Sequence, residues 1–274
     1  MTRRISHSEI KRFRDIVWQY YQSNGRNLAW RRTDNSYHIL VSEIMLQQTQ
    51  VERVIEKYEH FLSVFPDIHA LAQAPLRKVL SVWQGLGYNR RALSLQRLAQ
   101  EVIATFNGTL PSSENLLVKL PGIGKATASA IAAFAFKRPT VFIETNIRRV
   151  FIHFFFHDRE DIKDTDILPL VEKTLDTSDP RHWYYALMDY GAMLKKQIEN
   201  PNRKSFHYQR QSPFEGSTRQ LRSMVLKVIL QNHAITESSI MKKMVKDPDT
   251  VRKVLLQLEK EGFIKKQGKR FSIA

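Results

Sequence analysis

Two glutamates lie where a carboxyl group could take part in acid–base chemistry. Glu43 belongs to the segment Ser42-Glu-Ile-Met-Leu-Gln-Gln-Thr-Gln50, whose apolar residues recur at helical spacing and place it, with Gln47, beside a buried face. Burial raises the pKa of a carboxyl group, and a general acid that works at neutral pH needs such a rise. The alternative is a structural ion pair with Arg26, Arg31 or Arg32.

Glu144 follows the apolar run Thr140-Val-Phe-Ile143 and precedes Thr145-Asn-Ile-Arg-Arg149, so it stands at the start of a predicted helix. A carboxylate there stabilises the helix N-terminus, and this structural role needs no chemistry. The other role is that of an ionised carboxylate facing positive charge that develops on a substrate. The residue pattern leaves both roles open.

A short glycine-containing turn, Leu120-Pro-Gly-Ile-Gly-Lys125, lies between two helical patterns. Gly122 and Gly124 allow a tight turn, so that N–H groups at the start of the next helix face outward, and Lys125 adds positive charge. Such a loop binds a phosphate backbone without reading base sequence. An ordinary turn between helices is the alternative interpretation of so short a pattern.

The elements that carry these residues are predicted to be helical. Apolar residues recur at three- and four-residue spacing, and alternating runs are almost absent before residue 262. Turn-forming pairs such as Pro66-Asp67 and Asn107-Gly108 separate the helical segments. We predict an all-α fold with helices over residues 6–23, 37–65, 76–84, 90–106, 112–117, 125–136, 144–156, 165–175 and 180–196.

Charge and composition narrow the class of protein. The 274 residues carry a formal net charge of +16, so a polyanion is the expected partner. Nucleic acid is favoured over an anionic membrane because the charge is dispersed and no basic amphipathic segment stands out. No apolar stretch approaches the roughly 18 residues that cross a bilayer, and the N-terminus has no apolar signal segment. We therefore expect a cytoplasmic protein, associated with the nucleoid if the source is prokaryotic, and no membrane partner.

The chain contains no cysteine. This composition rules out disulfides, thiolate zinc sites, cysteine-ligated iron–sulfur clusters and cysteine nucleophiles. A metal would need nitrogen or oxygen ligands, and no motif for one is evident. We therefore expect no cofactor and no metal site.

A second unit is predicted near the C-terminus. Residues 219–233, 236–245 and 249–261 have helical patterns, and residues 262–273 alternate about Gly268 as a small hairpin would, which together indicate a winged helix-turn-helix. Residues 219–274 contain 13 basic and 5 acidic side chains, a formal charge of +8. Arg252 and Lys253, on the predicted recognition helix, and Lys269, on the wing, are candidate DNA contacts, while a dimerisation or packing module is the alternative.

Several co-linear motifs resemble those of the helix-hairpin-helix base-excision DNA glycosylases, most closely the adenine glycosylase branch. The resemblance covers about residues 27–195. It is carried by Asn27-Leu-Ala-Trp30, Ser42-Glu-Ile-Met-Leu-Gln-Gln-Thr-Gln50, Gly85-Leu-Gly-Tyr88, Leu120-Pro-Gly-Ile-Gly124 and Asn146-Ile-Arg-Arg-Val150.

The resemblance implies a two-lobed helical fold and a base flipped into the protein. The implied glycosylase domain covers residues 1–214, with a hairpin lobe at about 27–140 and a second lobe formed by 1–26 and 141–214; a winged-helix domain covers 215–274. By analogy, Glu43 protonates the departing base, Glu144 stabilises the cationic sugar and Asn146 orients that site. Leu28, Trp30 and Arg26 are expected at the base pocket, and Gln48 and Tyr88 in the base stack.

The chain departs from the family pattern at four points. Glu144 stands where the branch usually has Asp, and Ala126 stands where the bifunctional members have a Schiff-base lysine. A four-cysteine cluster motif is replaced by residues 195–214, where we expect Phe206, Tyr208 and Phe214 to dock the linker by packing. A winged helix replaces the β-rich C-terminal domain of the branch.

These features predict a monofunctional DNA glycosylase that hydrolyses the N-glycosidic bond of a mispaired base, most readily adenine opposite guanine or 8-oxoguanine. The expected partner is double-stranded DNA that contains a mispaired or damaged base, bound by a monomer. A mismatch thymine or uracil glycosylase is one alternative. A catalytically inactive winged-helix DNA-binding protein is the other.

Overall fold

The computed structural model of the protein describes residues 5–210, 213–244 and 247–274, and it is mainly helical. Short 3-10 helices cover Ala29–Arg31 and Pro201–Lys204. The α-helices are α1 (His7–Asn24), α2 (Ser36–Leu46), α3 (Val51–Val64), α4 (Ile68–Gln73), α5 (Leu76–Val82), α6 (Arg90–Phe106), α7 (Glu114–Leu117), α8 (Lys125–Phe136), α9 (Thr145–Phe155), α10 (Asp164–Thr174), α11 (Pro180–Gln197), α12 (Thr218–Leu230), α13 (Glu237–Lys243) and α14 (Pro248–Glu261). The strands are β1 (Ile235–Thr236), β2 (Ile264–Gln267) and β3 (Arg270–Ile273).

Helices α6 and α8 have the bounds that the sequence predicts. Each ends at a residue in the left-handed conformation, Asn107 with φ 51° and Lys137 with φ 53°, whose N–H caps a carbonyl of the last turn. The apolar faces of both helices are buried. The all-α class is therefore confirmed for the part of the chain that carries the two glutamates.

The single helix predicted over residues 37–65 is wrong, because the chain forms α2 and α3 with a turn between them. Gln48 has φ 56° and Gln50 is the extended N-cap residue of α3. Glutamine is a good helix former, so this run contains no signal of a break. Helix α4, capped by the Asp67 carboxylate at 2.8 Å from the Ala70 N–H, was also missed.

The described residues form two compact units. The first comprises residues 5–43, 111–119 and 123–210. Its core is a cluster of aromatic and aliphatic side chains from α1, α8, α9 and α11, in which Phe13 contacts Phe151, Phe155 and Trp183 at ring-centroid distances of 5.1 to 5.9 Å. Packing of these rings fixes α9 against α11.

The second unit comprises residues 44–110, 120–122, 213–244 and 247–274. Strands β1, β3 and β2 form an antiparallel sheet in that order, and α12 and α14 pack beside it, as in a winged helix. The sequence does not predict strand β1, because its two residues are too few to show an alternating pattern of apolar and polar side chains. Glu261 on α14 connects the C-terminal helices to residues 44–110. It binds Arg90 on α6 and Arg222 on α12, each at 2.7 Å.

This division differs from the one predicted from the sequence. Residues 27–43 fall in the first unit, and residues 213–274 group with residues 44–110. The predicted boundary between glycosylase and winged-helix domains near residue 214 stays a prediction, because compactness does not show which parts fold independently. None of the described helices is both long enough and apolar enough to cross a membrane.

Helices α9 and α11 meet at Gly191, and this contact generates a first prediction. A Cβ atom at this position would lie 2.4 Å from the Asn146 carbonyl oxygen. That oxygen is a backbone atom, so it can move away only if helix α9 itself shifts. Gly191→Ala should therefore lower the free energy of unfolding by about 1–3 kcal/mol, measured by urea denaturation. Ala192→Ser, at the adjacent partly exposed position of the same helix, is the control and should change it by less than ~0.5 kcal/mol. Equal stability of the alanine variant and the wild type would contradict the close approach.

Candidate active site

Glu43 lies on α2, a helix whose neighbouring residues Leu40, Val41, Ile44 and Met45 are buried. The Glu43 side chain itself is only partly exposed. Among the described residues, no salt bridge joins Glu43 to Arg26, Arg31 or Arg32, and the first two bind Asp189 instead. Glu43 is therefore a carboxyl group held in a largely apolar setting.

Glu144 is the N-cap residue of α9. Its Oε1 atom accepts the N–H groups of Asn146 at 2.8 Å and Ile147 at 3.0 Å, and its Oε2 atom accepts the side-chain amide of Asn146 at 3.3 Å. Three donors and the positive end of the helix dipole favour the ionised form of this side chain. The structural role expected for Glu144 is thus present, and it stabilises the charge that the chemical role would need.

The charge of Glu144 influences the protonation of Glu43. Burial and the nearby charge of Glu144 raise the pKa of Glu43 to about 8, while the positive charge of Arg31 acts in the opposite direction. Burial also raises the pKa of Glu144, but the N–H groups of Ile147 and Asn146 and the charge of Arg149 oppose the rise. A pKa of about 8 keeps the proton on Glu43 at neutral pH, whereas the N–H donors at the start of α9 and the charge of Arg149 favour the ionised form of Glu144.

Arg149 is a buried residue that links this site to its surroundings, and the sequence did not single it out. Its Nη1 atom donates to Asn146 Oδ1 at 2.6 Å and to the Gly191 carbonyl at 2.7 Å, and its Nε atom donates to Asn200 Oδ1 at 3.0 Å. Asn146 in turn donates to Glu144. Arg149 thus holds the amide of Asn146 in place and adds positive charge near Glu144.

The segment after α11 packs behind the N-terminus of α9. Asn202 is buried and donates to the Thr145 carbonyl at 2.9 Å, and Ile162 pairs with Ser205 in a parallel bridge. The expected docking by three aromatic side chains is wrong, since Phe206, Tyr208 and Phe214 are 60, 42 and 56% exposed. Buried asparagines and backbone hydrogen bonds hold this segment instead.

The predicted base-pocket residues lie near one another in the chain, and two of them are buried. Leu28 and Trp30 are buried, and the 3-10 helix Ala29–Arg31 carries Trp30. Arg26 is partly exposed and binds Asp189, which also receives two hydrogen bonds from Arg31 at 2.7 and 2.8 Å. Burial alone would raise the pKa of Asp189. The hydrogen bonds from Arg31 and Arg26 outweigh this effect and keep that pKa below its usual range. Asp189 was missed because a helical aspartate looks like a surface residue.

The glycine turn has the geometry expected of it. Gly122 has φ 81°, and a Cβ atom there would lie 2.7 Å from Ser94 Cβ, so the position requires glycine. Gly124 is the extended N-cap residue of α8, and a Cβ atom there would meet open space. Lys125 and Ala126 are exposed in the first turn of α8. The turn thus presents a helix N-terminus and a lysine at the surface.

Gln48 and Tyr88 share an uncommon backbone conformation, with φ 56° and 47°. The guanidinium of Arg91, a partly exposed residue whose Nε atom is buried, fixes both turns. It donates to the Gln47 carbonyl at 2.5 Å and, through its other terminal nitrogen, to the Gly87 carbonyl at 3.1 Å. Arg91 was not predicted, because residue type alone does not distinguish a buried arginine from a surface one. Gln48 is exposed and Tyr88 is 37% exposed, so both side chains are available to a ligand.

Three candidate DNA contacts lie in the C-terminal segment. Arg252 binds Glu237 and Asp249 at 3.0 and 2.9 Å. These two carboxylates offset the positive charge that its predicted role as a DNA contact needs. Lys253 on α14 and Lys269 between β2 and β3 are exposed. Within residues 5–210, 213–244 and 247–274, no group of three or more His, Asp or Glu side chains is placed to hold a metal ion.

Comparison with known proteins agrees with these motifs. Residues 41–169 match the family model described as HhH-GPD superfamily base excision DNA repair protein. An adenine DNA glycosylase of Buchnera aphidicola subsp. Baizongia pistaciae is 37% identical over 186 residues, which are 66% of this chain and 52% of that protein. The human adenine DNA glycosylase is 33% identical over 199 residues, 68% of this chain and 36% of that protein. The chain thus spans about half or less of the length of these relatives.

Solved structures show the same fold. A thermostable thymine-DNA glycosylase superposes with a TM-score of 0.63 at 23% identity, covering 72% of this chain and 92% of the other. Endonuclease III in a trapped covalent DNA intermediate superposes with a TM-score of 0.55 at 21% identity, covering 77% and 92%. At these identities the likeness supports the fold alone.

The raised pKa of Glu43 predicts how stability changes with pH. The folded state holds the Glu43 proton up to pH about 8, whereas the unfolded chain loses it near pH 4.5. Because the folded state binds more protons in this window, wild-type stability from this group decreases as pH rises. Glu43→Gln, which cannot ionise, should become more stable than the wild type by on the order of a few kcal/mol by pH 8.

Urea denaturation at pH 5 and pH 8 measures this difference, with Glu52→Gln at an exposed position as the matched control. The stability gain of Glu43→Gln should grow between the two pH values and that of the control should not. A gain for Glu43→Gln that is independent of pH would refute the raised pKa.

Proposed function

We propose that the chain is an adenine DNA glycosylase, in keeping with the match of residues 41–169 to the family model described as HhH-GPD superfamily base excision DNA repair protein. The proposed reaction is hydrolysis of the N-glycosidic bond of adenine mispaired with guanine or 8-oxoguanine. The observation that carries the proposal is the carboxyl pair within one compact unit: Glu43, whose pKa is raised to about 8, and Glu144, whose carboxylate accepts the N–H groups of Asn146 and Ile147. Support for adenine comes from the relatives named adenine DNA glycosylase.

The proposed mechanism uses the proton of Glu43 first. The Glu43 carboxyl donates it to a ring nitrogen of the departing base, and the electron pair of the glycosidic bond leaves with that base. Because the pKa of Glu43 is raised to about 8, the proton is present at neutral pH. Water then adds to the sugar carbon, and its proton returns to the Glu43 carboxylate.

Glu144 acts on the sugar in this mechanism. Loss of the base leaves an oxocarbenium-like sugar, and the negative charge of Glu144 stabilises it. Glu144 is one methylene longer than the aspartate usual in this branch, yet its carboxylate is fixed by the Asn146 and Ile147 N–H groups. Asn146 orients the carboxylate through its side chain. Arg149 is a positioning residue that acts through Asn146.

The DNA contacts are proposed from exposure and residue type. Leu28, Trp30 and Arg26 line the base pocket in this account. Gln48 and Tyr88 enter the base stack, whereas Gly122, Gly124 and Lys125 bind phosphates of the backbone. Lys253 and Lys269 stay predicted contacts, and Arg252 a weaker one because of its carboxylate partners.

The proposed enzyme is monofunctional and works without a cofactor. Ala126 occupies the position of the family's Schiff-base lysine, so a covalent lyase step lacks its amine there. The residues that replace the cluster motif include no thiolate and do not fit an iron–sulfur cluster. We propose a monomer that acts on double-stranded DNA in the cytoplasm, or at the nucleoid of a prokaryote.

Base release from a panel of labelled duplexes tests the function. The panel contains adenine opposite guanine, 8-oxoguanine and thymine, and thymine and uracil opposite guanine. Release of adenine from the first two supports the proposal, with strands that break only after alkali treatment. Release of thymine or uracil alone would identify the alternative enzyme, and no release would leave an inactive DNA-binding protein.

Glu43→Gln should separate binding from chemistry. The amide keeps the shape of the side chain but has no acidic proton, so single-turnover base release should fall by roughly two to four powers of ten. Affinity for the mismatched duplex, measured by fluorescence anisotropy, should stay near that of the wild type. A Glu43→Gln variant with the full single-turnover rate would contradict the role of Glu43 as the acid.

Arg149→Gln should move the acidic limb of the pH–rate profile. The positive charge of Arg149 lowers the pKa of Glu144, so its removal raises that pKa. Since activity requires ionised Glu144, the limb should shift to higher pH. Arg148→Gln is the matched control, because Arg148 is the adjacent arginine and is already paired with Asp164 at 2.7 Å. An unchanged limb in Arg149→Gln, or an equal shift in both variants, would contradict this role.

A further inference from the structure

The second unit contains a groove of about 1190 Å³ that includes Gln48 and Tyr88 and extends beyond them to α12, which has no proposed role so far. One wall is formed by the turns that carry Gln48 and Tyr88, and the other by α12 together with Phe214, just before this helix. We call it the α12 groove. Its lining contains aliphatic side chains and the buried ring of Phe263, together with three polar or exposed sets: the cations Arg53, Arg90, Arg91, Arg219, Arg222 and Lys227, the rings of Tyr88 and Phe214, and several amides.

The charge of the α12 groove favours an anion. Among the residues that the structure describes, no carboxylate side chain lines the groove. Glu261 nearby binds Arg90 and Arg222, so these two arginines are offset by its charge. Arg53 and Lys227 are exposed cations, and Arg219 donates to the Tyr88 hydroxyl at 3.0 Å. A phosphodiester chain is the anion that matches such a cationic channel.

Two exposed aromatic rings are a second feature that a ligand of the α12 groove must match. Phe214 is 56% exposed and Tyr88 is 37% exposed, although large aromatic side chains gain most from burial. Phe214 lies at a fixed place, because its carbonyl accepts the N–H of Ser217 at 3.2 Å and the Ser217 hydroxyl at 2.6 Å. Aromatic rings set among cations are the pattern of sites where unstacked bases bind.

The backbone turns of the α12 groove are already fixed in the absence of a ligand. Gln48 and Tyr88 hold left-handed backbone conformations that the hydrogen bonds of Arg91 maintain. Exposed Gln48 and Gln50 and partly exposed Gln84 add side-chain amides to the lining, which can donate to and accept from base edges. A site with fixed turns, cations and rings fits a strand of nucleotides better than it fits a small metabolite.

We propose that the α12 groove binds unstacked nucleotides of one DNA strand, with bases on Tyr88 and Phe214 and phosphates on Arg53, Arg219 and Lys227. The inference rests on the proposed function in that DNA is the substrate. It assigns the main DNA contact of the C-terminal segment to α12, and not to α14 or the wing. The chain could then hold bases that base flipping leaves without a stacking neighbour.

Binding of a labelled oligothymidylate of about 12 nucleotides to the full chain tests the ring contact. Phe214→Ala should weaken binding by roughly tenfold, and Phe214→Tyr should restore it. Phe206→Ala is the matched control, because Phe206 is 60% exposed and lies outside the groove. Unchanged affinity in Phe214→Ala, or an equal loss in the Phe206 control, would overturn the proposal.

Salt dependence tests the phosphate contacts. The double variant Arg219→Gln, Lys227→Gln should reduce the slope of log affinity against log salt by about 1.4, since each phosphate contact on a single strand contributes about 0.7. Lys242→Gln, Lys243→Gln changes two exposed lysines on α13 outside the groove and should leave the slope unchanged. A slope that falls in this control and not in the groove variant would overturn the assignment to α12.

These outcomes are independent of the reaction. Oligothymidylate contains no adenine to release, so its binding is measured without chemistry. Loss of groove binding with intact adenine release would overturn only this inference. Groove binding without release of any base would leave the inference in place and overturn the proposed function.

Discussion

The site depends on how one proton is distributed between two carboxyl groups in a region of low polarity. Burial and the nearby charge of Glu144 disfavour ionisation of Glu43 and raise its pKa to about 8. The N-terminus of α9 and Arg149 favour the anion at Glu144, and the proposed mechanism therefore assigns the proton to Glu43. This asymmetry gives one carboxyl group the role of an acid and the other that of an anion, although both are glutamates.

Arginines that donate several hydrogen bonds hold the functional turns in this protein. Arg149 joins α9 to the carbonyl of Gly191 on α11 and to Asn200. Arg91 joins the turn at Gln48 to the turn at Tyr88, and Arg31 with Arg26 surrounds Asp189. A guanidinium group can donate several hydrogen bonds in fixed directions, so one side chain orders several backbone segments. The residues proposed to act are therefore positioned by guanidinium groups that are themselves held in hydrogen bonds.

Helices with strong apolar periodicity and clear turn residues were predictable from the sequence, as the bounds of α6 and α8 show. Glu43 and Glu144 were recognisable because their motifs are local. The break at Gln48 was not predictable, since it depends on hydrogen bonds from Arg91, more than 40 residues away in the chain. The packing of the segment after α11 was not predictable for a related reason. Its aromatic residues suggested that their side chains dock the segment, whereas buried Asn202 and backbone pairing hold it.

The protonation of Glu43 and Glu144 is the central claim, and carbon-13 NMR of labelled glutamate carboxyl groups measures it directly. Glu43→Gln and Glu144→Gln assign the two resonances, and a pH titration of the wild type follows both. The account predicts that Glu43 titrates near pH 8 and that Glu144 is ionised at pH 7. A Glu43 that is already ionised at pH 7, with the proton on Glu144 or on neither group, would contradict it.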